Sequence, residues 1–107
     1  MKKIFIVTVL CVISSTAFAG LADKLGGLIG YTIIDSKTIK GWYDDDERDE
    51  GAFKGCKHGR VIVFTDNKIL KCAQYGYQYA YRPTAVILSN GSQFKMVVDD
   101  EIYDMRR

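Results

Sequence analysis

Tyrosine occurs at every second position in one stretch of this 107-residue chain. The four are Tyr75, Tyr77, Tyr79 and Tyr81. Because side chains alternate between the two faces of a strand, all four rings should point the same way. The spacing therefore predicts a long β-strand over residues 69–81, around which the rest of the chain is organised. Arg82-Pro83 should end it, since proline lacks a backbone N–H and favours an extended Arg82.

The tyrosine face has two interpretations. Alternating aromatic residues in a small β domain often form the core side of a central strand, and the residues between them, Gln74, Gly76, Gln78 and Ala80, would then face solvent. Alternatively, the four rings form an exposed surface that ends at Arg82 and binds a partner. Tyrosine rather than phenylalanine at each position favours exposure, because every hydroxyl needs water or a hydrogen-bond partner. The candidate binding residues are therefore the four tyrosines and Arg82.

The N-terminus has the pattern of an export signal. Two lysines precede an apolar run that ends at Ile13, and Ala17-Phe18-Ala19 follows as a typical cleavage sequence. The apolar run is too short to span a bilayer comfortably. We expect residues 1–19 to be cleaved, which leaves residues 20–107 as a single small β domain in the periplasm or secreted.

Cleavage would also change the charge balance. Two of the 15 basic residues belong to residues 1–19, whereas all 13 acidic residues lie beyond them, so the mature chain is nearly neutral. This gives no reason to expect a nucleic-acid partner. The residue before Cys11 is Leu10, not the small residue of a lipoprotein signal, so we expect no lipid anchor and no stable membrane insertion after cleavage.

Loss of Cys11 with the leader leaves two cysteines, Cys56 and Cys72. In an oxidising compartment these should form a disulfide, which would stabilise a domain too small for a large core. The alternative is a metal site that adds His58, but structural zinc needs four ligands and the mature chain has no other His or Cys. We therefore expect one disulfide, no metal and no cofactor.

The remaining segments indicate short strands separated by turns. Residues 21–29 have the apolar spacing of a short helix, and residues 31–43 suggest a hairpin with its turn at Asp35-Ser36. Residues 60–64 should form a strand that pairs antiparallel with the following strand across a turn at residues 65–68. Asn90-Gly91 is the pair preferred by type I′ hairpin turns. The expected fold class is all-β with a short N-terminal helix. We expect a single small curved antiparallel sheet or a barrel of SH3 or OB size, with one disulfide.

Motifs that carry chemistry are scarce. Residues 44–51 contain six carboxylates and no apolar residue, which predicts a solvated loop facing Lys54, Lys57 and Arg60 rather than a calcium loop, whose spacing they do not fit. No serine-hydrolase, zinc-protease or phosphate-loop motif occurs, and His58 is the only histidine. The chain is therefore not expected to be an enzyme.

These observations predict a small exported binding protein without catalytic activity. Its partner would be an envelope protein or a glycan that contacts the tyrosine face. The alternative is a structural or stress-related envelope domain in which the tyrosines are buried as core. The two hypotheses differ in the solvent exposure of the four rings.

Overall fold

A computed structural model describes residues 14–107, with side chains from residue 20 onward. Residues 1–13 of the predicted leader, Cys11 among them, lie outside the described residues. Helix α1 spans Ser14–Gly26 and runs through the predicted cleavage position after Ala19. Between residues 14 and 107, no helix is long and apolar enough to cross a membrane.

The predicted short helix is present but does not pack its apolar side chains on the sheet. Leu25 is 52% exposed, and Ile29, in the turn that follows the helix, is 85% exposed. The helix is tied to the rest of the molecule by Lys24, whose Nζ donates to the carbonyl oxygen of Asp100 at 2.5 Å. A polar contact, rather than the apolar face, thus links α1 to the β-structure.

Within the described residues, nine strands follow the helix, and this confirms the all-β class. They are β1 (Thr32–Tyr43), β2 (Arg48–Glu50), β3 (Ala52–Phe53), β4 (Val61–Phe64), β5 (Ile69–Cys72), β6 (Ala80–Tyr81), β7 (Thr84–Ser89), β8 (Phe94–Val98) and β9 (Glu101–Arg106). Seven of them form one antiparallel sheet in the order β2-β1-β4-β5-β9-β8-β7, and β3 pairs separately with β6.

The large sheet closes on itself because β1 is long enough to pair on two sides. Residues 32–38 of β1 pair with β7, whereas residues 39–43 pair with β4. The register shifts between Ile39 and Gly41, close to the change of partner. The expected small, curved antiparallel sheet is therefore confirmed, and β7 at one end of it pairs with β1, the strand next to the other end.

The predicted hairpin within residues 31–43 is wrong. β1 continues through Asp35 and Ser36, which pair with Ile87 and Val86 of β7. The ladder supplied by β7 outweighs the local turn preference of Asp-Ser. The irregularity that remains is a register shift between Ile33 and Asp35.

The hairpins expected after residue 60 are confirmed, with one difference in turn geometry. β4 pairs with β5, and β7 pairs with β8 through the loop that contains Asn90-Gly91. Within that loop φ is positive at Gly91 but not at Asn90, so the turn is not type I′. The side chain of Asn90 instead accepts hydrogen bonds from the backbone N–H groups of Ser92 and Gln93.

Apolar side chains from all sides of the closed sheet fill its interior. The largest fully buried ones include Tyr103, Phe53, Phe64, Ile39 and Met96. The rings of Phe53 and Tyr103 meet edge to face with centroids 5.7 Å apart. The predicted Cys56–Cys72 disulfide lies in this core, with the two Cα atoms 5.5 Å apart.

Candidate functional site

The spacing predicted one long strand over residues 69–81, and this prediction is wrong. β5 ends at Cys72 and β6 contains only Ala80–Tyr81. The N–H of Ala73 still donates to the carbonyl oxygen of Asp104 in β9, at 2.9 Å. Beyond it, glutamine side chains replace the backbone ladder, so the chain runs alongside β9 without pairing as a strand. We call residues 73–81 the tyrosine segment.

Side chains nevertheless alternate along the tyrosine segment, and the tyrosines are on the outside. Tyr75, Tyr77, Tyr79 and Tyr81 are 71%, 79%, 61% and 71% exposed. Gln74, Gly76, Gln78 and Ala80 are half-buried on the inner side. The interpretation of the tyrosines as core residues is therefore wrong, because the interior below this segment is already filled by another aromatic ring.

That ring belongs to Tyr103, which is 1% exposed. A Cβ atom at Gly76 would lie only 2.9 Å from its Cε1 atom, so glycine allows the segment to pass closely over the ring. The Tyr103 hydroxyl donates to Oε1 of Gln78 at 2.6 Å. Burial, together with the nearby acidic residues of the β8–β9 turn, raises the pKa of Tyr103 to about 12. The hydroxyl thus stays a neutral donor to the segment above it.

The two glutamines connect the tyrosine segment to β9 and to the end of β8. Oε1 of Gln74 accepts from the backbone N–H of Asp104 at 2.8 Å. Nε2 of Gln78 donates to the carbonyl oxygen of Val98 at 3.1 Å. The core interpretation of the tyrosines placed these residues on the solvent-facing side, and neither interpretation gave them a positioning role. The side-chain amide groups were the signal in the sequence that could have indicated this role, since a glutamine can replace a missing backbone hydrogen-bond partner on a neighbouring strand.

The opposite edge of the segment is held by the chain around Cys56. Cys56 and Gly76 exchange two backbone hydrogen bonds, of 2.7 and 3.0 Å, and the disulfide joins Cys56 to Cys72 at the end of β5. Gly55 has φ +84°, and a Cβ there would lie 2.1 Å from the carbonyl oxygen of Gly76. Only glycine fits this approach. Bonds on both edges therefore fix the backbone that carries the exposed rings.

Arg82, at the end of the segment, adopts a left-handed backbone conformation with φ 43°. The expectation that Pro83 keeps it extended is wrong. Its N–H donates to the carbonyl oxygen of Gly51 at 2.6 Å, and the carbonyl oxygen of Pro83 accepts from Ile39 at 2.9 Å. These flanking bonds impose a conformation that costs a non-glycine residue about 1–2 kcal/mol. The side chain is exposed and forms no ion pair with any residue between 20 and 107.

The acidic stretch after β1 is more ordered than a solvated loop. Its second half is β2, which pairs with β1. The carboxylate of Asp44 accepts from the N–H groups of Asp46 and Glu47 at 2.9 and 3.0 Å and so forms the connecting turn. Partial burial raises the pKa of Asp44, but these N–H groups and the Arg60 guanidinium outweigh it, and the pKa lies below its ordinary value.

The predicted basic partners of this acidic stretch are confirmed. Ion pairs join Lys54 to Asp49 at 3.6 Å, Lys57 to Asp46 at 3.2 Å and Arg60 to Asp44 at 3.1 Å. The Arg60 guanidinium also lies 3.9 Å from the ring centroid of Trp42, so it joins the acidic turn to the core. These ion pairs thus connect the β1–β2 hairpin to residues 54–60.

Metal-binding side chains are not brought together in the described part of the chain: no group of three or more His, Cys, Asp or Glu residues there could hold an ion. The sulfurs of Cys56 and Cys72, which a site with His58 would need, are bonded to each other. The same bond removes both as free nucleophiles.

Comparison with protein-family models, with curated proteins and with solved structures finds no match to this chain. The tyrosine segment offers aromatic faces, phenolic hydroxyl groups and one guanidinium on a fixed backbone. Those groups are suited to contact with another molecule.

Proposed function

We propose that this chain is an exported binding protein without catalytic activity, and that its ligand contacts the tyrosine segment and Arg82. The ligand would be an envelope protein or a glycan. The observation that carries the proposal is that four tyrosine rings in alternating positions are each at least 61% exposed. Large aromatic side chains left in water side by side are typical of interaction surfaces.

The way the segment is held favours binding. Association costs free energy whenever a flexible loop must be ordered. The hydrogen bonds of Gln74 and Gln78 on one edge and of Cys56 on the other already order this backbone. A ligand would therefore lose little of its binding free energy to ordering the protein.

The composition of the surface favours a protein partner over a glycan. Tyrosine and arginine are both enriched among the residues that dominate protein–protein binding energies. Arg82 contributes an exposed guanidinium from a strained backbone position, and such strain tends to occur at functional sites. A carboxylate on the partner would complement this charge next to Tyr81.

Export rests on the leader pattern and on the disulfide. Disulfides persist in oxidising compartments and are rare in the cytosol. A periplasmic or secreted location would also bring the tyrosine segment into contact with envelope components. Cleavage after Ala19 would separate the binding domain from the leader.

Affinity capture from an envelope extract tests the proposal. The baits are the mature protein, the variant Tyr77→Ala/Tyr79→Ala and the control Tyr43→Ala, which removes a 39% exposed tyrosine from β1. All three are first compared by circular dichroism and thermal unfolding. We expect wild type and control to recover the same partner and the double variant to lose it. Equal recovery of every partner by all three baits would refute the proposal.

Two further measurements define the ligand. Protease treatment of the extract should abolish capture if the partner is a protein, whereas a glycan would survive it. With the purified partner, Arg82→Ala should weaken binding about tenfold or more if the guanidinium faces a desolvated carboxylate. An unchanged dissociation constant would remove Arg82 from the site.

A further inference from the structure

A second potential site lies in a cavity that none of the tyrosine-segment residues line. It measures about 530 Å³, and its apolar lining includes Phe64, Ile87 and Phe94. Phe64 and Ile87 are 1% and 3% exposed, so they form a rigid floor that belongs to the core. Ile34 and Ile69 also line it and are 52% and 44% exposed. An apolar chain inserted here would cover surface that is now in water.

Charged side chains with an excess of cations surround this floor. Lys37, Lys68, Arg107 and Asp35 all line the cavity. The Lys37 ammonium is already paired with Asp35 at 3.0 Å and with Asp66. Lys68 and Arg107 form no ion pair with any other described side chain. The charges of Lys68 and Asp66 interact, but the two side chains form no direct ion pair. Lys68 and Arg107 are therefore still able to pair with an anion.

The aromatic floor and the cations are adjacent. The Arg107 guanidinium lies 5.0 Å from the ring centroid of Phe94, and the Lys37 ammonium lies 5.9 Å from that of Phe64. A ligand whose apolar part contacts these rings would place a head group within reach of the cations. The volume is within the range of about 300–1,000 Å³ that small-molecule sites have in proteins.

We propose that this cavity binds a small amphipathic anion, of the class of a carboxylate with a single alkyl chain. The alkyl chain would lie on the apolar floor and cover Ile34 and Ile69, and the carboxylate would face Lys68 and Arg107. An inorganic anion would leave these two isoleucines in water, and a neutral alkyl chain would leave both cations without a partner. An alkyl ammonium would be repelled by them. Charge and shape together therefore select an anion with an apolar chain.

The test is a titration of the mature protein with octanoate at concentrations below those at which octanoate forms micelles. Binding is measured from the backbone amide shifts in NMR spectra. Decanoate and hexanoate give the chain-length dependence, and octanol and octylammonium test the head group. The variant Lys68→Gln/Arg107→Gln removes both cations. The matched control Lys71→Gln/Arg106→Gln makes the same charge change at a directly opposed pair in β5 and β9 that does not line the cavity.

Octanoate should shift the amides around Ile69 and Phe94, and each added methylene should tighten binding about three- to fourfold. Removal of the two cavity cations should weaken octanoate binding about tenfold, and the control pair should change it less than about twofold. Octanol should be insensitive to either variant. Shifts confined to the tyrosine segment, equal effects of both variants, or octylammonium binding as well as octanoate would each overturn the proposal.

Discussion

Replacement of both Cys56 and Cys72 by alanine should remove most of the stability of this domain. The disulfide joins residues 16 positions apart, and cross-linking a loop of that length stabilises the folded state by about 3 kcal/mol in the chain-entropy model. Both side chains are buried, at 5% and 0% exposure, so loss of the sulfurs adds a small cavity cost of about 1 kcal/mol. The sum approaches the roughly 5 kcal/mol expected for a domain of this size.

The assay is urea unfolding of the mature protein, monitored by tryptophan fluorescence. Trp42 is the single tryptophan and is 2% exposed. With a slope of about 1 kcal/mol per M, the midpoint should fall by about 3–4 M to about 1–2 M, so the variant would be only marginally stable without denaturant. Cys72→Ala alone should be at least as harmful, because the remaining Cys56 thiol can form intermolecular disulfides.

Thiol labelling provides the control. Unfolded wild-type protein that has never been reduced should contain no reactive thiol, and after reduction it should contain the two of Cys56 and Cys72. Reactive thiols before reduction would show that the bond is absent. A double variant less stable than wild type by under about 1 kcal/mol would refute the chain-entropy reasoning instead.

Three other outcomes are expected. Gly76→Ala should destabilise the fold by about 1–3 kcal/mol in urea unfolding, because its Cβ would meet the Tyr103 ring at 2.9 Å. The control Gly26→Ala should not destabilise it, since no atom lies within 4 Å of the added Cβ. Equal effects of the two variants would contradict the close approach. Because the pKa of Tyr103 rises from 10.0 to about 12 on folding, the stability due to its neutral hydroxyl should be complete below about pH 10 and be lost as the pH rises toward 12. Urea midpoints across that range should fall less steeply for Tyr103→Phe than for wild type, and parallel curves would contradict the assignment. Mass spectrometry of exported protein should show a chain that begins at Gly20, and a mass that retains residues 1–19 would overturn the predicted cleavage.

The features that the sequence predicted correctly involve residues that lie fairly close to each other in the chain. Opposite charges close in the chain, such as Asp44 and Arg60, were expected to meet and do. The disulfide followed from the count of cysteines once Cys11 was assigned to the predicted leader. The hairpins after residue 60 followed from turn residues between β-forming runs.

The features that the sequence did not predict depend on residues far apart in the chain. The alternation along the tyrosine segment was correct, but Tyr103, in the last strand, determines which side faces inward. Asp35-Ser36 would turn in isolation, yet β7 supplies a ladder that keeps them extended. Arg82 is left-handed because Gly51 and Ile39 bond the chain on both sides of it. Sequence periodicity carries no information about such distant partners.

The double pairing of β1 has a consequence for how the chain folds. Most other strand pairs in the large sheet, such as β4–β5 and β8–β9, join neighbours across short turns and can form early. Closure of the sheet requires Thr32 to pair with Ser89, which lies far from it in the chain. This step therefore has a larger entropy cost of loop closure than the hairpins have. We expect this to be the slow step. Until it occurs, β7 and the first half of β1, with the exposed Ile33 and Ile34, present unpaired edges on which two chains could associate.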